Sequence, residues 1–76
     1  MAKLPRIAGP RLVRALERAG WFRHRQKGSH LVMKHPGKPK ARVVVPMHSG
    51  EELLPKTLAS ILDQAEMSAD ELRELL

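Results

Sequence analysis

The chain has 76 residues, with 14 Lys and Arg against 8 Asp and Glu, a net charge of +6, 42% hydrophobic residues and no cysteine. That length fits one small domain, taken here as 1–76, and excludes a large multi-domain enzyme. The composition excludes a disordered chain, disulfide staples, cysteine nucleophiles and thiolate metal sites, and no run nears the roughly 18 apolar residues of a membrane span. With no signal-peptide core at the N-terminus, the expectation is a cytoplasmic protein without a membrane partner.

The charge is unevenly spread. Residues 1–50 hold 12 of the 14 basic groups and one acid, Glu17, a balance of +11. Residues 51–76 hold Lys56 and Arg73 against seven acids, a balance of −5. A basic body is the electrostatic footprint of a protein that binds a polyanion. The competing reading is a solubilising basic surface. An anionic membrane fits less well, because the basic residues do not line one amphipathic helix with a bulky apolar face.

In chain order, Gly9-Pro10 opens a first helix, with glycine at the N-cap and proline at the first helical position. Leu12, Val13, Leu16 and Ala19 recur at helical spacing, and Gly20 supplies a left-handed stop, so the helix is predicted over Pro10 to Ala19. Trp21 to Gln26 reads as a strand, Lys27-Gly28 as a two-residue turn, and Ser29 to His35 as a second strand. Pro36-Gly37-Lys38-Pro39 reads as a basic loop. Arg42 to Val45 is a β-branched third strand stopped by Pro46. Met47 to Leu54 is a loop. Leu58, Ile61, Leu62 and Ala65 mark an amphipathic helix with Pro55 in its first turn. Ser68 and Glu71 form a capping box for a short last helix, with Met67 and Leu72 placed as a hydrophobic staple.

A turn at Lys27-Gly28 sets a register. Gln26 then faces Ser29, Arg25 faces His30, Arg23 faces Val32 and Phe22 faces Met33. The core face would hold Phe22, His24, Leu31 and Met33, joined by Val43 and Val45. The opposite face would hold Trp21, Arg23, Arg25, His30, Val32 and Lys34. A one-residue slip would exchange the two sets.

The chemistry-bearing residues are few. The acids fall in the C-terminal helices and read as surface and capping groups. No phosphate-loop, dinucleotide-binding, zinc-protease or calcium-loop spacing is present. A metal site among His24, His30, His35 and His48 has no motif behind it, and strand parity sets His24 and His35 opposite His30, so no metal or cofactor is expected. Histidine serves as a general acid or base near neutral pH, and cationic neighbours can hold a phosphodiester. His30, after Gly28-Ser29 and opposite Arg25, meets that description. Trp21 reads as packing rather than as a base-stacking platform, His24 as a core-edge residue, and His35 as a strand-end surface residue. His48 reads as a loop residue or a second acid–base group.

An ordered series runs through the chain. It comprises Gly20-Trp21, Arg25-Gln26-Lys27-Gly28-Ser29-His30, Val45-Pro46-Met47-His48 and Thr57-Leu58-Ala59-Ser60-Ile61-Leu62. Over residues 9 to 73 it resembles the HicA toxins of bacterial and archaeal type II toxin–antitoxin systems. The resemblance implies an α+β, double-stranded-RNA-binding-like fold of order α-β-β-β-α. Here that means a three-stranded antiparallel sheet with helices on one face and a short extra C-terminal helix. It implies a ribonuclease acting on messenger RNA, with His30 catalytic, and a HicB-type antitoxin that covers the site. Arg25, Lys27, Gly28, Ser29 and Lys34 are the expected RNA-binding residues, and no DNA binding is expected of this chain alone. The family often has glycine directly before the Thr-Leu of its second helix, whereas Pro55-Lys56 stand there in this chain. A non-catalytic module for double-stranded RNA and an inactive toxin homologue are the alternative readings.

Overall fold

The computed structural model describes residues 4–48 and 50–76. Six elements follow in order: α1 (Gly9–Arg18), β1 (Phe22–Lys27), β2 (His30–His35), β3 (Lys38–Pro46), α2 (Pro55–Ala65) and α3 (Ala69–Leu75). The strands form one antiparallel sheet in the order β1-β2-β3. α1 and α2 pack against β3, and α3 packs on α1. This is the double-stranded-RNA-binding-like α+β layout with an added C-terminal helix.

The core lies between helices and sheet because the apolar periods agree. Leu12, Val13, Ala15 and Leu16 of α1 are buried, as are Leu58, Ile61, Leu62 and Ala65 of α2. They meet alternate residues of two strands, Leu31 and Met33 from β2 and Val43 and Val45 from β3, all with almost no exposure. Leu72 closes the core from α3. Full burial of each such side chain contributes about 1.5–3 kcal/mol, so the helix layer is held chiefly by these contacts.

Element ends follow local chemistry, with shifts from the sequence expectation. α1 starts one residue early, with Ala8 at the N-cap and Pro10 still inside the first turn. It ends at Ala19, and Gly20 follows with a left-handed φ of +99°. Pro55 is the first residue of α2, where a missing N–H costs nothing. That explains how Pro55-Lys56 replaces a glycine at this helix entry. The capping box of α3 is complete: the Ser68 hydroxyl accepts from the Glu71 N–H, and the Glu71 carboxylate accepts from the Ser68 N–H. Ser49, inside the expected Met47 to Leu54 loop, lies outside the described residues.

The hairpin corrects the expected register. The turn is Gly28-Ser29, not Lys27-Gly28, and the strands pair Lys27 with His30, Gln26 with Leu31 and Arg25 with Val32. Gly28 has φ +57°, and Ser29 is not among the residues with positive φ. Those are the φ signs of a type II′ turn, which takes glycine first. A type I′ turn at Lys27-Gly28 would force a lysine into the left-handed region. A bulge at His24 then reverses the parity of β1, pairing Arg23 with Met33 and Phe22 with Lys34.

The bulge overturns two face assignments. Phe22 was expected in the core but is 45% exposed, and it pairs with Lys34 on the open face. Arg23 was expected on the open face but pairs with Met33 on the helix side, and its guanidinium sits 3.6 Å from Glu17 of α1. Trp21 leaves the open face too: it is 3% exposed and meets the His35 ring edge-on, centroids 5.3 Å apart. The expected basic loop at Pro36 to Pro39 is shorter, because Lys38 already pairs with His35 and opens β3. β3 is an edge strand, where Pro39 can stand without breaking a ladder on both sides.

Candidate nucleic-acid interface

The face of the sheet away from the helices is built from three cross-strand rows. The first is Lys27, His30 and Pro46; the second is Arg25, Val32 and Val44; the third is Phe22, Lys34 and Arg42. Directly opposed side chains in such rows stand roughly 4.5–5.5 Å apart at Cβ, and successive rows lie about 6.6 Å apart along the strands. The rows line a shallow groove with His24, Gly28 and Ser29 at its margin. The residues lining it include His24, His30 and four cations, Arg25, Lys27, Lys34 and Arg42, and no carboxylate. Such a surface attracts phosphates and has nothing of its own to neutralise them.

The structure brings all of the expected site residues to this face, in a changed arrangement. His30 is exposed and stands directly opposite Lys27, not Arg25. Arg25 is one row further along, and Lys34 two. Gly28 and Ser29 form the turn that leads from β1 to His30 at the start of β2. Nothing lies within 4 Å of the place a Gly28 Cβ would take, so backbone can approach a ligand there. The Ser29 carbonyl accepts from the Met47 N–H at 2.6 Å, which ties the turn to the end of β3.

Two groove residues escaped the sequence reading. His24, expected on the core edge and on the face opposite His30, lines the same groove from the bulge in β1. Arg42 was read only as the start of a strand. Arg42 reaches the groove through the β2–β3 pairing that sets it across from Lys34. His24 needs the bulge in β1, for which the sequence carries no local mark. Among the described residues no three His, Cys, Asp or Glu groups converge as a metal would require.

His35 is not a surface residue. Its Nδ1 accepts from the Gly37 N–H at 2.9 Å, so the proton is on Nε2, which donates to the Ala19 carbonyl at 3.0 Å. With Trp21 against its ring, this side chain fastens the end of α1 to the β2–β3 turn. Its role is structural.

His30 also borders a second, smaller cleft at the end of the groove, lined by Pro46, His48, Glu51, Glu52, Leu53, Leu54 and Thr57. Carboxylates enter only on this side.

A helix-backed antiparallel sheet whose free face carries a histidine among cations defines a basic α+β domain suited to a polyanion. The chain belongs to the HicA toxin family: the model of the HicA toxin of bacterial toxin–antitoxin systems matches residues 9–67, from the start of α1 to the residue before the cap of α3. Family membership makes it a toxin of a toxin–antitoxin system, from a family known for ribonuclease activity, with an antitoxin as its partner. No curated protein matches the chain. No described helix is long and apolar enough to cross a membrane.

Proposed function

We infer that this chain, acting as one domain over 1–76, is a metal-independent endoribonuclease that cuts messenger RNA through His30. The observation that carries the reading is an exposed imidazole directly opposite Lys27 on a groove lined by four cations and no carboxylate. Arg25, Lys27, Lys34 and Arg42 would hold the backbone, with the open Gly28-Ser29 turn letting a phosphate approach. His30 would take the proton of a ribose 2′-hydroxyl, and the fixed cations would stabilise the charge that grows on phosphorus. The products would then carry a 2′,3′-cyclic phosphate and a free 5′-hydroxyl. A HicB-type antitoxin would bind over this groove and exclude RNA.

The test is incubation of labelled RNA with wild type and His30→Ala. The wild type should cut RNA in EDTA and leave a 2′-deoxy substrate whole. His30→Ala should lose at least about 100-fold in rate, the usual contribution of a general acid or base. Its RNA affinity should stay within a few-fold, because binding is spread over several phosphate contacts. Strong gel shifts without cleavage by the wild type would favour a binding module instead. Full activity in His30→Ala would reject His30.

A further inference from the structure

Cleavage by a 2′-hydroxyl needs two proton transfers, and the reading above assigns His30 only the first. The leaving 5′-oxygen must gain a proton as the bond to phosphorus breaks. We propose that His48 is the general acid that donates it, across the cleft it shares with His30. The proposal rests on the ribonuclease reading above and assigns the second half of that reaction.

His30 lines both the cationic groove and the smaller cleft, so it stands where the two meet. His48 lines the cleft only. A phosphate held in the groove at His30 therefore has one imidazole on the groove side and another on the cleft side.

The His48 segment is also held. The Met47 N–H donates to Ser29 at one end, beside the His30 turn. At the other end the Leu53 N–H donates to the Ile7 carbonyl at 2.8 Å, and Glu52 bridges to Ala8. Between them the Glu51 N–H donates to the His48 carbonyl itself. The backbone before His48 is thus tied to the turn that precedes His30, and the backbone after it to the segment that precedes α1.

Charge assigns the roles. Glu51 and Glu52 line the cleft with His48, and no Lys or Arg does. The donor is assigned to the histidine that shares its cleft with carboxylates, and the acceptor to the histidine that stands among the phosphate-holding cations Arg25 and Lys27. In the step itself the 2′-oxygen bonds to phosphorus and its proton passes to His30. The bond from phosphorus to the 5′-oxygen breaks, and His48 gives its proton to that oxygen. Each imidazole ends in the other's starting form, and no further reactant is needed.

The experiment compares an ordinary RNA with one whose scissile 5′-oxygen is replaced by sulfur. A thiolate leaves without a proton, having an ordinary pKa of about 8.5 as a cysteine side chain does. His48→Ala should cut the ordinary RNA at least about 100-fold more slowly and the 5′-thio RNA at close to the wild-type rate. His30→Ala should be slow on both. The wild-type rate against pH should be bell-shaped, and His48→Gln should lose the falling alkaline limb, since that limb reports deprotonation of the acid. His48→Ala that cuts ordinary RNA at the wild-type rate overturns the proposal. So does His48→Ala or His48→Gln that is equally slow on both substrates. A wild type that binds but cuts neither RNA overturns the ribonuclease reading beneath it, a result distinct from failure at His48 alone.

Discussion

Gly9 meets the end of β3 so closely that a Cβ on it would lie 1.9 Å from the Pro46 carbonyl oxygen. Neither group is a flexible side-chain end, so α1 or β3 has to move for any larger residue. Gly9→Ala should therefore destabilise the fold near the top of the overpacking range, about 3 kcal/mol. Gly28→Ala meets no neighbour and carries only the left-handed penalty, roughly 1–2 kcal/mol. Urea midpoints of the two variants check the order, and equal losses would mean that the Pro46 contact relaxes freely. The sequence reading had Gly9 as an N-cap, a local role that Ala8 in fact fills. Its true constraint comes from a residue distant in the chain, and no local pattern encodes that. The same holds for His35, whose partners Ala19 and Trp21 come from before β1. His30, by contrast, was legible, because a turn glycine, a serine and a histidine in sequence fix their own neighbourhood.

Among the elements, those set by local chemistry were readable and the one set by pairing was not. α2 and α3 follow from apolar spacing and a capping box within a few residues. Ser68→Ala should cost about 1 kcal/mol, measured by chemical denaturation, because it frees the Glu71 N–H. The register of β1 depends on which two residues turn, and every β1 residue is exposed, so no burial pattern corrects a slip. β1 overhangs the helix layer as a charged edge, a form that resists pairing with other chains. α2 is fastened to the sheet by Lys38, which donates to the Ala65 carbonyl and to the Glu66 carboxylate at 2.8 Å. The Lys38 hydrogen bond, and then its charge, hold the Glu66 carboxyl below its usual range. A carboxyl depressed in the folded state adds stability above its unfolded pKa, and that stability is lost as pH falls through the folded value. The pair is exposed, so the effect should be small and screened by salt. Glu66→Gln should melt slightly below the wild type at neutral pH and together with it in acid. A gap that persists in acid would show that the side chain acts through something other than its charge.

Across the whole molecule, the split between a basic body and an acidic C-terminal stretch becomes a split between layers. The acids of α2 and α3 join a helix layer that also carries Arg11, Arg14 and Arg18 of α1. Arg73 pairs with Asp70, Lys38 with Glu66, and Arg18 donates to the Leu75 carbonyl. On the open sheet face, Arg25, Lys27, Lys34 and Arg42 share a groove without a carboxylate. The groove at His30 thus gathers four cations with no carboxylate among them, even though arginines are spread through the first half of the chain. Each cation that contacts a phosphate releases condensed counterions, so it steepens the fall of affinity with salt. Removing one such contact should reduce the slope of log affinity against log salt by about 0.7 for single-stranded RNA. On the proposed function, Lys34→Ala and Arg42→Ala should each show that reduction in a His30→Ala background, chosen so that the RNA stays whole during titration. Arg11→Ala and Arg14→Ala, on the helix layer, should leave the slope unchanged while lowering the net charge by the same amount. If all four variants shift the slope equally, binding responds to net charge alone and the groove has no special place in it. If only the groove pair shifts it, the layering of charge, not its total, directs RNA to the histidine.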